Sequence, residues 1–357
     1  MAFGLEKKKI LIISVSGIGN TILQIPLIRS IAAQASYKVD ILFGNEAMAS
    51  LLMDEKGIDH RFVLPQSLIQ KMALVRRLRQ IRYCFSVACF PSNRSEFHLL
   101  PFVIGAKKRV IHSYPCCSSP FAFLSNVKIG AVQGLHDVQQ NLNLLDGLGA
   151  EPHKVHRGCK VEISQESKRA AADFLKSYGL TGTDLLGIHP GSGPIVGKRW
   201  PQEYFARTIE RLVGKGHFSK ALIFGGPEEN HLKKRLLKMS SPEKALIVDT
   251  PFQVTAALIA KCRFMLSNDS GLMHVAAAVE TPVLGIFGPT DWTRTAPHGR
   301  NAHFLKPSIV CAPCLDYPFK SKRARIKCSE HPPECLKEIT PEKVVKRVET
   351  LLRKGKK

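Results

Sequence analysis

Short apolar runs alternate with stretches of helical spacing along most of this chain. Residues 9–14, 39–43, 85–90, 185–189, 221–224, 245–248, 264–266 and 283–287 are apolar runs of strand length bounded by turn residues, with 62–64 as a shorter candidate. Between them, 22–33, 68–83, 136–145, 165–178, 202–213, 254–261 and 272–279 carry apolar residues at helical intervals, and Gly179 stands where a helix ending at 178 wants its C′ glycine. Strand and helix in alternation predict an α/β fold built on parallel sheets. A chain of 357 residues suits two domains, and composition shifts between 147 and 164, which places the boundary near 150–165. The expected division is 1–160, 161–335 and a basic terminal helix from 336 to 357 that crosses back to the first domain.

The glycine-rich turns between strand and helix carry the candidate chemistry. Asp269-Ser270-Gly271 follows the run 264–266 and opens a helix, so backbone N–H groups and the positive helix end are available to an anion. His274 falls one turn beyond Ser270, and Ala276, Ala277 and Ala278 suit close packing on a sheet. Thr290 lies in a loop, Gly288-Pro289-Thr290-Asp291, that opens on the same sheet edge. The plainer alternative is that Asp269 and Ser270 only cap the helix. In the loop after 185–189, Gly191, Gly193 and Gly197 permit close approach of a diphosphate, Ser192 offers a hydroxyl and Lys198 a charge; a flexible loop with a surface lysine is the alternative there. The first turn, 15–21, contains Gly17 and Gly19, but Ile22 stands where a dinucleotide fingerprint needs its third glycine, which weakens an oxidoreductase assignment.

Charge and cysteine content narrow the partners. The formal net charge is +23 and the pI about 9.8, which favours an anionic partner. No zinc-finger spacing, RNP-like strand or basic zipper is present, so anionic lipid is preferred over nucleic acid. The stretch 68–83 sets Lys71, Arg76, Arg77, Arg79 and Arg82 beside Leu68, Met72, Val75, Leu78 and Ile81, either a solvated face or one that suits a membrane surface. Mean hydropathy is −0.04, no apolar run approaches the ~20 residues of a membrane span, and Gly17 and Gly19 interrupt the run after Lys7-Lys8-Lys9 too early for a signal peptide. A cytoplasmic protein is therefore expected, with its ten cysteines reduced; Cys84, Cys89, Cys116, Cys117, Cys159 and Cys262 lie in or beside apolar stretches as inert thiols. Cys311-Ala312-Pro313-Cys314 with Cys328 and Cys335 invites a zinc site, but no second CxxC pair exists, and the expectation is no metal.

Asp269-Ser270-Gly271 with His274, followed by Phe287-Gly288-Pro289-Thr290-Asp291, resembles the signature of glycosyltransferase family 9, the ADP-heptose:lipopolysaccharide heptosyltransferases, and Lys198-Arg199-Trp200-Pro201 adds to the resemblance. It implies two Rossmann-like domains facing across a cleft, the GT-B architecture. It further implies an inverting transfer of heptose from ADP-heptose to the lipopolysaccharide inner core, without a cofactor, at the inner-membrane surface. The absence of any Asp-x-Asp pair agrees with a metal-free reaction. On this resemblance Ser192, Asp269, Ser270, Gly271, His274 and Thr290 hold the donor, Glu228 or Glu229 its ribose, and Lys198 the departing diphosphate. Gly19 and Arg94 line the acceptor site. Asn20 takes the place of the family's aspartate base, and an amide orients a hydroxyl but does not take its proton at neutral pH. His136 and Asp137, otherwise a helix cap, are the nearest ionisable substitutes. The alternatives are an impaired or non-catalytic sugar-nucleotide-binding homologue, or a member using another sugar nucleotide.

Overall fold

The computed structural model describes residues 7–115, 119–149, 155–315, 317–319, 328 and 332–354; Cys116 and Cys117 lie outside them. The chain divides into two compact units, Met1–Cys159 with Asp316–Arg325, and Lys160–Leu315 with Ile326–Lys357.

In the first unit the elements run β1 (Lys8–Ser14), α1 (Ile18–Ala32), β2 (Tyr37–Phe43), α2 (Glu46–Ser50), β3 (Ile58–Val63), α3 (Leu68–Ile81), β4 (Phe85–Ala88), α4 (Glu96–Val103), β5 (Lys108–Ser113), β6 (Val127–Gly130) and α5 (Asp137–Asn143). The strands form one parallel sheet in the order β3-β2-β1-β4-β5-β6. Central β1 is buried over Leu11–Ser14 on both faces, which is why it reads as a continuous apolar run rather than an alternation. Leu11, Ile13, Leu78, Phe97 and Ile111 share the core beneath α3 and α4. Phe319, from the short returning segment, packs on Phe90 and Tyr114 with ring centroids 6.1 Å from each.

The second unit runs α6 (Gln165–Ser177), β7 (Leu185–His189), α7 (Gln202–Gly214), β8 (Lys220–Ile223), α8 (Asn230–Ser240), β9 (Ala245–Ile247), α9 (Phe252–Lys261), β10 (Phe264–Asn268), α10 (Gly271–Ala278), β11 (Val283–Ile286), α11 (Trp292–Thr295), β12 (Ala302–Leu305), α12 (Glu334–Lys337) and α13 (Pro341–Lys354). Its parallel sheet has the order β12-β11-β10-β7-β8-β9, the same topology as the first. Each sheet reverses its winding between its first and fourth strands, β1 and β4 in one, β7 and β10 in the other, and open α/β sheets take ligands beyond that point.

Two expectations change, and the terminal helix α13 finds its packing surface: Val344, Val345 and Val348 are buried in the second unit's core with Phe205, Ile209 and Leu212 of α7, because an apolar stripe on an otherwise basic helix is held where it finds matching apolar surface. Helix α1 starts at Ile18 rather than near 22, since Gly17, at φ +114°, completes the bend in one residue. Strands β6 and β12, unmarked in the apolar pattern, are four-residue sheet-edge strands, partly exposed and interrupted by Lys128 and His303.

Candidate functional site

The polar residues that close the apolar strands of the second sheet gather at its carboxyl edge. Ser267 lies in register with His189 on the adjacent strand, so the β7 and β10 loops leave the sheet side by side at the winding reversal. Asn268 is fully buried, accepts from the Trp200 backbone N–H at 3.0 Å, and donates to the carbonyls of Pro190 at 2.8 Å and Gly191 at 3.3 Å. One side chain thereby holds both ends of the loop 190–200 against β10. Trp200 Nε1 donates to the Ile339 carbonyl at 2.7 Å, which fixes the far side of that loop to the segment leading into α13.

Beneath the loop lies Glu229. Its carboxylate accepts from the Gly193 N–H at 3.1 Å and lies 2.9 Å from His189 Nε2. Burial alone raises its pKa, but the hydrogen bond and charge of His189, with the N–H groups of Gly193 and Gly226, outweigh burial and hold it down at about 2. A Cβ at residue 191 would stand 1.9 Å from Glu229 Oε1, so the glycine there is demanded by the packed carboxylate. Gly193, at φ +63°, is required by backbone conformation. Spacing left Glu228 and Glu229 equivalent; the structure separates them, with Glu229 built into the wall and Glu228 exposed over Gly226.

Lys198 and Asp269 meet as an ion pair at 2.7 Å, with side chains 14% and 6% exposed. Ser270 is the N-cap of α10 but makes no side-chain cap bond; its hydroxyl lies 2.8 Å from His189 Nδ1 and 3.2 Å from Ser267 Oγ. Capping is therefore not the work of either Asp269 or Ser270 in this structure, and Gly271 opens the helix with its first N–H groups uncovered by the Ser270 side chain. His274 is buried one turn further on. Ser192 is buried and donates to the Ile195 carbonyl at 2.7 Å, so its hydroxyl hydrogen serves its own loop. The Thr290 hydroxyl is buried without a hydrogen-bond partner among the described residues, while its backbone bridges to Leu315. His189 and Asn268 were not singled out as site residues in the sequence; their signal was a polar residue closing an apolar strand just before a glycine or acidic turn.

The corresponding edge of the first sheet is also built from buried polar contacts. Gln24 donates to the Phe90 carbonyl at 2.9 Å, Asn141 accepts from the Phe90 N–H at 2.9 Å, and Tyr317 donates to Asn93 at 3.0 Å. Gly19 and Asn20 lie in the first turn of α1, where Asn20 Nδ2 donates to the Ser16 carbonyl at 2.9 Å. Arg94 is exposed, paired with Glu96 at 3.1 Å and stacked over Phe97. His136 caps α5 by accepting from the Val138 N–H, and Asp137 beside it is buried.

Among the described residues no group of three or more His, Cys, Asp or Glu is arranged to hold a metal ion. Of the C-terminal cysteines, Cys311 is exposed and Cys335 is buried beside Gly288. Two hollows of about 410 and 480 Å³, lined by Arg263 and by residues of α13, include none of the loop residues above; they sit toward the amino ends of β10 and β11. On α3 of the first unit, Leu68, Ile69 and Met72 are exposed, as are Phe102 and Val103 of α4, and Arg79 links the two helices by donating to the Val103 carbonyl at 2.8 Å. No helix among the described residues is long and apolar enough to cross a membrane.

The glycosyltransferase family 9 (heptosyltransferase) model matches residues 73–324. Lipooligosaccharide heptosyltransferase 2 of Campylobacter jejuni is 30% identical over 178 residues, which cover 48% of this chain and 52% of that protein. The chain thus spans about half the length of the curated relatives it matches. The solved structure of Escherichia coli ADP-heptose lipopolysaccharide heptosyltransferase II is similar with a TM-score of 0.74 at 20% identity, covering 98% of this chain and 100% of that one. A family 9 glycosyl transferase from Veillonella parvula aligns with a TM-score of 0.78 at 22% identity over 99% of both chains. The α/β fold with two Rossmann-like sheets is the one those proteins share.

Proposed function

The chain belongs to glycosyltransferase family 9, and from that membership we propose that it is an inverting transferase that moves heptose from ADP-heptose to the lipopolysaccharide inner core. The observation that supports this best is the convergence of Lys198, Ser270, Gly271, Glu228 and Thr290 on one carboxyl edge at the winding reversal of the second sheet. Such an edge suits a nucleoside diphosphate. The exposed Glu228 carboxylate accepts from ribose hydroxyls, the α10 N–H groups and Lys198 take the diphosphate, and Thr290 brings a hydroxyl that has no other partner among the described residues. Ser192 and Asp269 act at one remove, by holding the loop and the lysine. His274 adds a ring one turn below the anion.

In this reaction the acceptor hydroxyl attacks the anomeric carbon as the bond from that carbon to the diphosphate oxygen breaks, the configuration at that carbon inverts, and the hydroxyl proton passes to solvent. Charge builds on the departing diphosphate, and Lys198 with the α10 amides stabilises it in place of a divalent metal. The acceptor belongs to the first unit, where Gly19, Asn20 and Arg94 are its candidate contacts. Asn20 donates one amide hydrogen to the Ser16 carbonyl and keeps its own carbonyl oxygen to accept from an acceptor hydroxyl, an orienting role rather than that of a base. The exposed apolar residues of α3 and α4, flanked by Lys71, Arg76, Arg79 and Arg82, would seat the protein at an anionic membrane surface on the cytoplasmic side. Mass-spectrometric detection of product from ADP-heptose and a deacylated core acceptor tests the assignment. Transfer lost in Lys198→Ala supports it, whereas no product with any nucleotide sugar, despite ADP binding, would point to the non-catalytic homologue.

A further inference from the structure

The amino edge of the second sheet, opposite the donor loops, carries a hollow that the transfer reaction does not use. It lies at the starts of β10, β11 and β12 and has a volume of about 480 Å³, within the range of small-molecule sites. Phe264 opens β10 and lines the hollow, whereas Asn268 at the other end of the same strand holds the donor loop. Four residue steps at ~3.3 Å set these two edges roughly 13 Å apart. The remaining wall is α13, where Arg347, Leu351 and Lys354 share one helix face at i, i+4 and i+7 while Val344 and Val348 anchor the helix in the core.

Charge sets this hollow apart. Arg263, Arg300, Arg347 and Lys354 line it, and its lining includes no Asp or Glu. Arg263 is paired with Asp184 at 2.6 Å, but the other three make no hydrogen bond or ion pair among the described residues. His303, on the same wall, is held below the ordinary histidine pKa by burial and then by the charges of Arg347 and Lys354, so both cations act on the interior of the hollow. Phe264, Pro282 and Leu351 add apolar surface. The adjoining hollow of about 410 Å³ contrasts with it, since Glu349 there meets Lys215 at 3.0 Å and His217 at 3.1 Å and supplies a counter-charge from within the protein.

We propose that the acid-free hollow is a second anion site, for a ligand that carries two or more phosphate groups. A phosphomonoester brings a charge of about −1.5 to −2 at neutral pH, so two of them answer the three unpaired cations, where a single carboxylate would leave most of that charge standing. The guanidinium forks of Arg300 and Arg347 suit phosphate oxygens, Lys354 adds a point charge, and the apolar surface receives the uncharged body of the ligand. Both a soluble polyphosphate ester and a lipid headgroup with paired phosphates have this chemistry. The site is separate from the donor loops and does not depend on their assignment.

Calorimetric titration of the full chain with inorganic tripolyphosphate at about 0.1 M salt tests it. The wild type should show a saturable phase that weakens by at least about tenfold in Arg300→Gln/Arg347→Gln. Neither arginine has a partner to strand, so this variant should fold as the wild type does. The same phase should persist in Lys198→Met, which strips charge from the donor loops, and should change by less than about twofold in Lys38→Gln/Lys56→Gln, which removes equal charge from exposed positions of the first unit. Displacement of tripolyphosphate by phosphatidylcholine vesicles containing cardiolipin, and not by phosphatidylcholine alone, assigns the site to a headgroup; tripolyphosphate that stays bound assigns it to a soluble ligand. No saturable phase in the wild type, an undiminished phase in Arg300→Gln/Arg347→Gln, or an equal loss in Lys38→Gln/Lys56→Gln would each overturn the site. Loss of the phase in Lys198→Met would place the anion in the donor loops instead.

Discussion

Replacing Lys198 by Met probes whether the lysine serves the ligand or only the fold. Its ammonium is 2.7 Å from Asp269, and both side chains are largely shielded from water. Removing one partner of a buried pair leaves the other charge uncompensated, at about 3–5 kcal/mol; the 14% exposure of the lysine side chain places this one near the lower end, about 3 kcal/mol. A lost charge-assisted contact to a phosphate oxygen is worth about 1.5–3 kcal/mol, or roughly 10- to 150-fold in ADP affinity. The remaining carboxylate, now facing the anion without its counter-ion, pushes the loss toward the upper end. The double variant Lys198→Met/Asp269→Asn removes that stranded charge, so urea denaturation should find most of the stability restored. Calorimetry at fixed ionic strength should find ADP affinity still lowered by at least about tenfold. If affinity recovers along with stability, Lys198 is a structural ion-pair member and its assignment to the diphosphate is wrong.

Gly191→Ala should cost about 1–3 kcal/mol and weaken ADP binding, because its methyl would occupy the space of the Glu229 carboxylate, 1.9 Å away; an unchanged melting temperature would show that the loop yields freely. The Glu229 carboxyl, lowered to about 2, contributes stability that is fully present above its unfolded value of 4.5 and is lost as pH falls from there toward 2. Urea denaturation across that window should show a steeper acid loss in the wild type than in Glu229→Gln, and parallel profiles would remove the carboxylate from the account. Ile69→Glu with Met72→Glu should reduce sedimentation with anionic phospholipid vesicles by about fivefold or more while leaving ADP binding intact; equal sedimentation would clear α3 of a membrane role.

The central strands of both sheets were legible because burial on both faces leaves runs such as Ile10–Ile13 with no polar interruption, and the glycines that follow mark the turns. The edges were not. Val127–Gly130 and Ala302–Leu305 each have one side of the ladder open, tolerate a lysine or a histidine, and so lack the pattern that the centre imposes. For α13 the basic, amphipathic character was readable, but its docking surface was not: Val344, Val345 and Val348 match the apolar face of α7, and nothing local in the sequence names a partner.

The candidate site shows a similar division, with a different cause. The loop candidates were visible because Gly191, Gly193, Lys198 and Ser270 are residue types that stand out against a loop background. The residues that aim them were hidden inside strands. His189 and Asn268 close apolar runs and would pass for strand ends, yet Asn268 alone holds three backbone groups of the neighbouring loop, and His189 links a buried carboxylate to the serine at the α10 terminus. Glu228 and Glu229 were both candidates for the ribose, since spacing does not distinguish an acid that meets a ribose from one that supports the loop. Burial favours Glu228 for the ligand: the Glu229 carboxylate has His189 on one oxygen and the Gly193 N–H on the other. It follows that substitutions at Asn268 or Glu229 should weaken donor binding through loop geometry, with losses that track stability, whereas those at Glu228 or Thr290 should weaken it with stability unchanged.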